Sequence, residues 1–160
     1  MKIQFLGAAK EVTGSKHLIT TDKGTTILLD CGMYQGKGME TDQANRELGF
    51  DPKDIHYLLL SHAHIDHSGL IPYIYSLGFR GKIYCTPATR DLCQLMLQDT
   101  AFIQEQDVRW YNKKMDRQHK PKIKPLFDMN HAQQVMKLFR TVDYDTPYRI
   151  DEDIQVQFTN

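Results

Sequence analysis

The apolar run IHYLLLS at 55–61 leads without a break into SHAHIDHSG at 61–69. The run loses its alternation after Tyr57, and at this length that marks a strand covered on both faces, so the chain must build a layered fold around an internal sheet. Three histidines and an aspartate (His62, His64, Asp66 and His67) then fall within six positions at the strand's end. Unpartnered imidazoles and carboxylates are costly beside a buried strand, and a cluster of them points to metal binding rather than packing.

The flanking segments place this loop in an α/β fold. KIQFLG at 2–7, KHLITT at 16–21 and TTILLD at 25–30 alternate like strands, and the turn around Asp22, Lys23 and Gly24 joins the last two into an antiparallel meander. GLIPYIYSLGF at 69–79 has Leu70, Ile74 and Leu77 at helical spacing with Gly78 as a stop, and KIYC at 82–85 is a further strand. Thr86 and Pro87 make a good helix start, and Leu92, Leu95, Met96, Asp99, Phe102 and Ile103 trace the stripe of a helix running to about Lys114. KKMDRQHKPKIKP at 113–125 is basic and ends in irregular chain. A last helix is expected at 131–139 and a strand at 154–159. The order β-β-β-β-α-β-α predicts a mixed sheet with flanking helices.

With 160 residues, 41% of them hydrophobic, the chain suits one domain or a large piece of one. Twenty basic residues balance twenty acidic ones, so any polyanion site must be local. Cys31, Cys85 and Cys93 form no CxxC pair and read as reduced thiols, which with the short apolar stretch before Lys10 predicts a cytoplasmic protein. Nothing approaches the roughly 20 apolar residues of a membrane span.

His62 and His64, two positions apart, can turn toward one metal ion, while Asp66 and His67, where the chain changes direction, can face a second. Imidazole nitrogen with carboxylate oxygen suits Zn²⁺ best, and Mn²⁺ or Fe where more oxygen ligands join. A pair of ions about 3.5–4 Å apart can hold a hydroxide near neutral pH and stabilise a leaving oxygen, which is the chemistry of ester, amide or phosphodiester hydrolysis. Asp66 can also orient the attacking hydroxide, which makes it both ligand and general base. His17, His56, His119 and His131 are isolated and read as ordinary core or surface residues.

SHAHIDHSG resembles the H-x-H-x-D-H signature of the metallo-β-lactamase superfamily. FLGAAKEVTGSKHLI at 5–19 and ILLDCGMYQGKG at 27–38 resemble the opening of its β-CASP branch, the RNA- and DNA-processing nucleases. The resemblance implies a metallo-β-lactamase-type αββα sandwich, with residues 1–160 forming the N-terminal part of that domain. It implies two Zn²⁺ in the full-length protein, one held by His62 and His64 and the other by Asp66 and His67, and a substrate of RNA or DNA cut by a metal-bound hydroxide in endonuclease or 5′ exonuclease mode. Asp30 matches an aspartate that braces the histidine loop, as ligating histidines need an acceptor on their second nitrogen. Gly14 and Ser15 lie in a turn whose N–H groups could approach a phosphate, although a plain hairpin fits the same residues. Lys10 and the Lys113–Lys124 run read first as solvated charge.

The same resemblance marks departures. The glycine-histidine motif, the bridging aspartate and the final histidine of the family are not found, nor is the β-CASP insertion, and QFTN at 157–160 resembles the strand just before the first of these. The expectations are that this piece binds metal weakly or not at all, is inactive alone, and dimerises or swaps elements to cover open sheet. The alternatives are a thioesterase-type hydrolase of the same fold and a non-catalytic nucleic-acid-binding scaffold.

Overall fold

A computed structural model describes residues 1–36, 39–117, 119 and 121–159. Six strands form one sheet in sequence order: β1 (Lys2–Gly7), β2 (Lys16–Thr20), β3 (Thr26–Leu29), β4 (Tyr57–Leu59), β5 (Lys82–Cys85) and β6 (Phe139–Thr141). The first three are antiparallel, as the meander pattern predicts, and β3 to β6 are parallel. Parallel neighbours need long crossovers, and right-handed crossovers between strands in sequential order carry their helices over one face. These are α1 (Met39–Arg46), α2 (Ile65–Ser68), α3 (Ile71–Ser76), α4 (Pro87–Asp116) and α5 (Met129–Val135). On the other face a hairpin of β7 (Tyr148–Asp151) and β8 (Ile154–Val156) brings Tyr148 to 5.8 Å from Tyr84, which lies 6.1 Å from Tyr57.

The register explains the core. Leu18 faces Leu28, Leu28 faces Leu58 and Leu58 faces Ile83, so one row of aliphatic side chains crosses four strands. Leu28, Leu58 and Ile83 are fully buried, in one cluster with Ile71, Ile74 and Leu97. Alternate residues on the same strands turn to the hairpin side, which is why IHYLLLS reads as continuous rather than alternating.

Several elements differ from the sequence expectation. Of the helix expected at 69–79 only Ile71–Ser76 (α3) is helical, and the short α2 precedes the expected range at Ile65–Ser68. Leu70 lies outside helical geometry as the N-cap of α3, Pro72 sits in its first turn, and Gly78 at φ 109° follows its end. On α4 the buried residues are Thr89, Cys93, Leu97, Ala101 and Met115, whereas Leu92, Leu95, Phe102 and Ile103 of the expected stripe are exposed and Met96 is half-buried. The larger apolar side chains suggest the wrong face, because the side the helix buries is lined by Thr89, Cys93 and Ala101 beside Leu97, residues too small or too polar to stand out as an apolar stripe. Helix α5 starts earlier than expected because Asp128 caps it, accepting from the His131 amide, and Phe139 opens β6 rather than closing a helix. The strand expected at 154–159 ends at Val156 and pairs outside the main sheet, with only a bridge at Phe158. Among the described residues no helix is long and apolar enough to cross a membrane.

Candidate metal centre

The C-terminal ends of adjacent parallel strands β3 and β4 meet at one edge, the place where open α/β sheets present their sites. Asp30 follows β3 in the left-handed region, φ 58°, a conformation that aspartate tolerates better than most residues. Its amide donates to the Leu59 carbonyl at 2.9 Å, tying the two strand ends together.

That turn aims the Asp30 carboxylate, 5% exposed, into the histidine loop. Oδ1 accepts from the Ser61 amide at 2.9 Å and lies 2.9 Å from the Ser61 hydroxyl. Oδ2 lies 2.7 Å from His67 Nδ1 and 3.4 Å from the Ser15 hydroxyl. A carboxylate accepts only, so Nδ1 of His67 carries a proton, and in the neutral ring Nε2 is the nitrogen that holds the lone pair. The residues after Asp30 run along α2: the amides of Cys31 and Met33 donate to the His67 and Ile65 carbonyls at 2.7 and 3.0 Å. Gly32 permits this approach, since a Cβ there would stand 1.6 Å from the Asp66 carbonyl oxygen.

The four clustered side chains fall into two pairs. His62 Nε2 is 3.2 Å from His64 Nδ1, and His67 Nε2 is 3.6 Å from Asp66 Oδ2. The rings of His62 and His67 are 4.0 Å apart between centroids, which holds the pairs side by side. Burial, and then the neighbouring His67 and His64, push the His62 pKa down against the opposing pull of Asp30 and Asp66, so the neutral ring that a metal requires is favoured. Two nitrogens on one tetrahedral zinc stand about 3.3 Å apart at ordinary bond lengths, and the His62–His64 spacing fits that edge. The donor chemistry therefore suits a divalent ion. Among the described residues the donors come as pairs, and no group of three or more metal-ligating side chains comes together.

Two contributors were not singled out from the sequence. Ser61 bridges, its hydroxyl lying 2.9 Å from His62 Nδ1 as well as beside Asp30. Lys16 is fully buried with its ammonium 3.1 and 3.3 Å from the Gly32 and Gly14 carbonyls and 4.3 Å above the Tyr34 ring, and burial lowers its pKa. Serine directly before the histidines was a readable signal. The lysine, in an ordinary strand pattern, offered none.

Gly14 and Ser15, read as a phosphate-contacting turn, are buried. The Ser15 amide donates to the Asp66 carbonyl at 2.8 Å and its carbonyl accepts from Gly32 at 2.9 Å, so that N–H is committed to the histidine loop and does not face an incoming anion. Gly14, at φ 86°, packs against Tyr34. Of the isolated histidines, His56 accepts from the Thr26 amide through Nδ1 at 3.2 Å, His131 closes the α5 cap, and His17 stacks edge-on against Phe5 at 5.2 Å.

The chain belongs to the metallo-β-lactamase superfamily, whose family model matches residues 12–137. Its relatives are RNA-processing proteins of the β-CASP branch. Ribonuclease TTHA0252 of Thermus thermophilus is 44% identical over 106 residues, covering 66% of this chain and 24% of that protein. Transcription termination factor FttA of Thermococcus kodakarensis is 32% identical over 170 residues, covering 100% and 24%. Cleavage and polyadenylation specificity factor subunit 3-II of Arabidopsis thaliana is 30% identical over 162 residues, covering 95% and 24%. The chain thus spans about a quarter of the length of these relatives. Membership of the superfamily implies use of a divalent metal.

Proposed function

We propose that this chain carries the histidine loop of a zinc-dependent phosphodiesterase that hydrolyses RNA. The reading rests on the pairing of donors, His62 with His64 and Asp66 with His67, on a loop braced by Asp30. The likeness to relatives named as a ribonuclease, a termination factor and a cleavage factor subunit supports the substrate class.

Bound divalent ions would supply Lewis acidity and a water that ionises near neutral pH. His62 and His64 would hold one ion, Asp66 and His67 the other. Asp30 keeps the Nδ1 proton on His67 and leaves Nε2 free to ligate. Ser61, donating to Asp30 and accepting from His62 Nδ1–H, sets the matching tautomer on His62. Asp66 has a second oxygen with which to orient and deprotonate an attacking water.

Two donors per ion leave coordination positions to water, substrate or further ligands, so the 160-residue chain is expected to hold metal weakly and to cleave poorly by itself. The test is metal content and cleavage of labelled RNA, on this chain and on one extended past Asn160, each with His64→Ala. Two ions and cleavage in the extended form, both lost in the variant, are the expected result. Metal with thioester hydrolysis but intact RNA would replace this reading with an esterase, and a chain that takes up no metal in either form would replace it with a scaffold.

A further inference from the structure

The second half of α4 stands away from the metal centre and has a chemistry of its own. From Arg109 to Lys124 there are seven lysines and arginines and one acidic residue, in a chain whose net charge is zero. The chain's single tryptophan, Trp110, sits within this stretch and is 69% exposed. Lys114 lies 5.8 Å from its ring centroid. Trp110 and Lys113 separate two shallow depressions, one shared with Arg109 and Lys122, the other with Lys114 and Arg117. The backbone beneath is fixed, because Asn112 exchanges two hydrogen bonds of 2.9 Å with Ile123 and so straps the following segment to the helix.

An exposed indole costs free energy in water unless something covers it, and its surroundings restrict what that can be. Arg109 is paired with Glu105 at 3.4 Å and Lys122 with Asp116 at 3.0 Å, so the cations that count beside the ring are Lys113, Lys114 and Arg117. Set among these charged side chains, the indole is a flat platform rather than the centre of a hydrophobic groove. Flat platforms flanked by cations that follow a backbone are how proteins hold single-stranded nucleic acid: bases stack on the ring while phosphates meet lysine and arginine. Lys113 and Arg117 are one helical turn apart on the same side, which places two cations in line beside the ring.

We infer that Trp110 with Lys113, Lys114 and Arg117 forms a binding site for single-stranded nucleic acid, separate from the histidine loop. Helix α4 begins where β5 ends, at the sheet edge that carries the loop, and Trp110 is 23 residues beyond its first residue, Pro87, on the order of 35 Å away. The site is therefore an anchoring surface for a strand and does not depend on the metal-centre reading.

Because Trp110 is the only tryptophan, its fluorescence reports the site directly. Titration of the chain with a single-stranded RNA of about 12 nucleotides, long enough for a typical single-strand site, is expected to quench it saturably and with strong salt dependence. Trp110→Ala, followed by anisotropy of labelled RNA, should raise Kd by about 5- to 150-fold, the range for removal of one base–aromatic stack, and Trp110→Tyr should restore most of the affinity. Lys113→Gln with Arg117→Gln should make the salt slope shallower by about 0.7 for each phosphate left without its cation. Lys2→Gln and Lys82→Gln, exposed cations elsewhere on the surface, should change none of these values. Unquenched fluorescence, or Trp110→Ala binding as tightly as the parent, would overturn the inference. So would RNA binding lost in His64→Ala but kept in Trp110→Ala, or equal affinity for poly-glutamate, which would make the surface a general polyanion sink.

Discussion

Asp30 Oδ2 and His67 Nδ1 lie 2.7 Å apart, the buried carboxylate at the end of one strand holding the imidazole that follows the next. Ser15 and Ser61 also reach this carboxylate, and the histidine loop takes its shape from a position 37 residues away from His67. Replacing Asp30 with Asn puts an amide NH₂ where one acceptor stood, facing donors. The expected result is a loss of about 1–3 kcal/mol in urea unfolding, the cost of an unsatisfied buried donor. Nitrogen-15 chemical shifts of His67 should move from the Nδ1–H toward the Nε2–H tautomer. Unchanged shifts would show that something other than Asp30 fixes the ring.

Ser61 transmits the same constraint to His62. Removing its hydroxyl as Ser61→Ala should lower zinc affinity about tenfold or more while leaving the fold intact, as loss of an outer partner does at other metal sites. Ser61→Thr keeps the hydroxyl and should retain affinity. Competition against a chromophoric zinc chelator measures both, and equal affinity in all three proteins would remove Ser61 from the site.

Gly32 is the point where the Asp30 turn meets α2. A methyl group there would lie 1.6 and 2.2 Å from the carbonyl oxygen and carbon of Asp66, and backbone atoms cannot rotate aside. Gly32→Ala should therefore cost about 3 kcal/mol or more, at or beyond the upper end of ordinary overpacking. Gly24→Ala is the contrast: at φ 87° with open space around it, it should cost only about 1–2 kcal/mol of backbone strain. Similar midpoints for the two variants would mean that the loop can move off α2.

The histidine loop was legible in the sequence because its signal is local: a buried strand, then four donors at fixed spacing. The antiparallel opening was legible for the same reason, since alternation and a turn are short-range features. Helix α1 was missed because METDQANR has only Met39 and Ala44 to suggest a buried face. Strands β6 and β7 were missed because FRT and YRID are too short and polar to alternate visibly, and each exists through the partner it pairs with. Lys16 was invisible because nothing local says that an ammonium will be enclosed by the Gly14 and Gly32 carbonyls and the Tyr34 ring, two of the three brought from distant sequence.

Helix α4 shows how an apolar stripe can mislead, and the face it buries can be checked. Leu97 is fully buried between Cys93 and Ala101, while Leu95, two residues earlier, is 70% exposed. Leu97→Ala should cost about 2–5 kcal/mol in denaturant unfolding, and Leu95→Ala should stay within about 0.5 kcal/mol of the parent. The reverse ranking would restore the stripe of Leu92, Leu95 and Phe102 as the face against the sheet.

The three thiols set the alkaline limit of stability. Burial pushes Cys31 and Cys85 up to about 12 and Cys93 up to about 11, against an ordinary value of 9.0. Above pH 9 the unfolded chain releases these protons while the folded chain keeps them. Folding then binds more protons than unfolding, and stability falls as pH rises, by up to about 1.4 kcal/mol per pH unit for each thiol. Lys16 acts in the opposite sense: its folded pKa is lowered, so from that value up to 10.5 its contribution to stability rises with pH. Three thiols outweigh one ammonium, and the urea midpoint should drop between pH 9 and 10.5. Cys31→Ala should flatten the drop and Lys16→Met should steepen it. At a pH of about 8, below the ordinary thiol range, none of the thiols should react with Ellman's reagent until urea is added. Rapid reaction of the native protein would show that at least one is not enclosed.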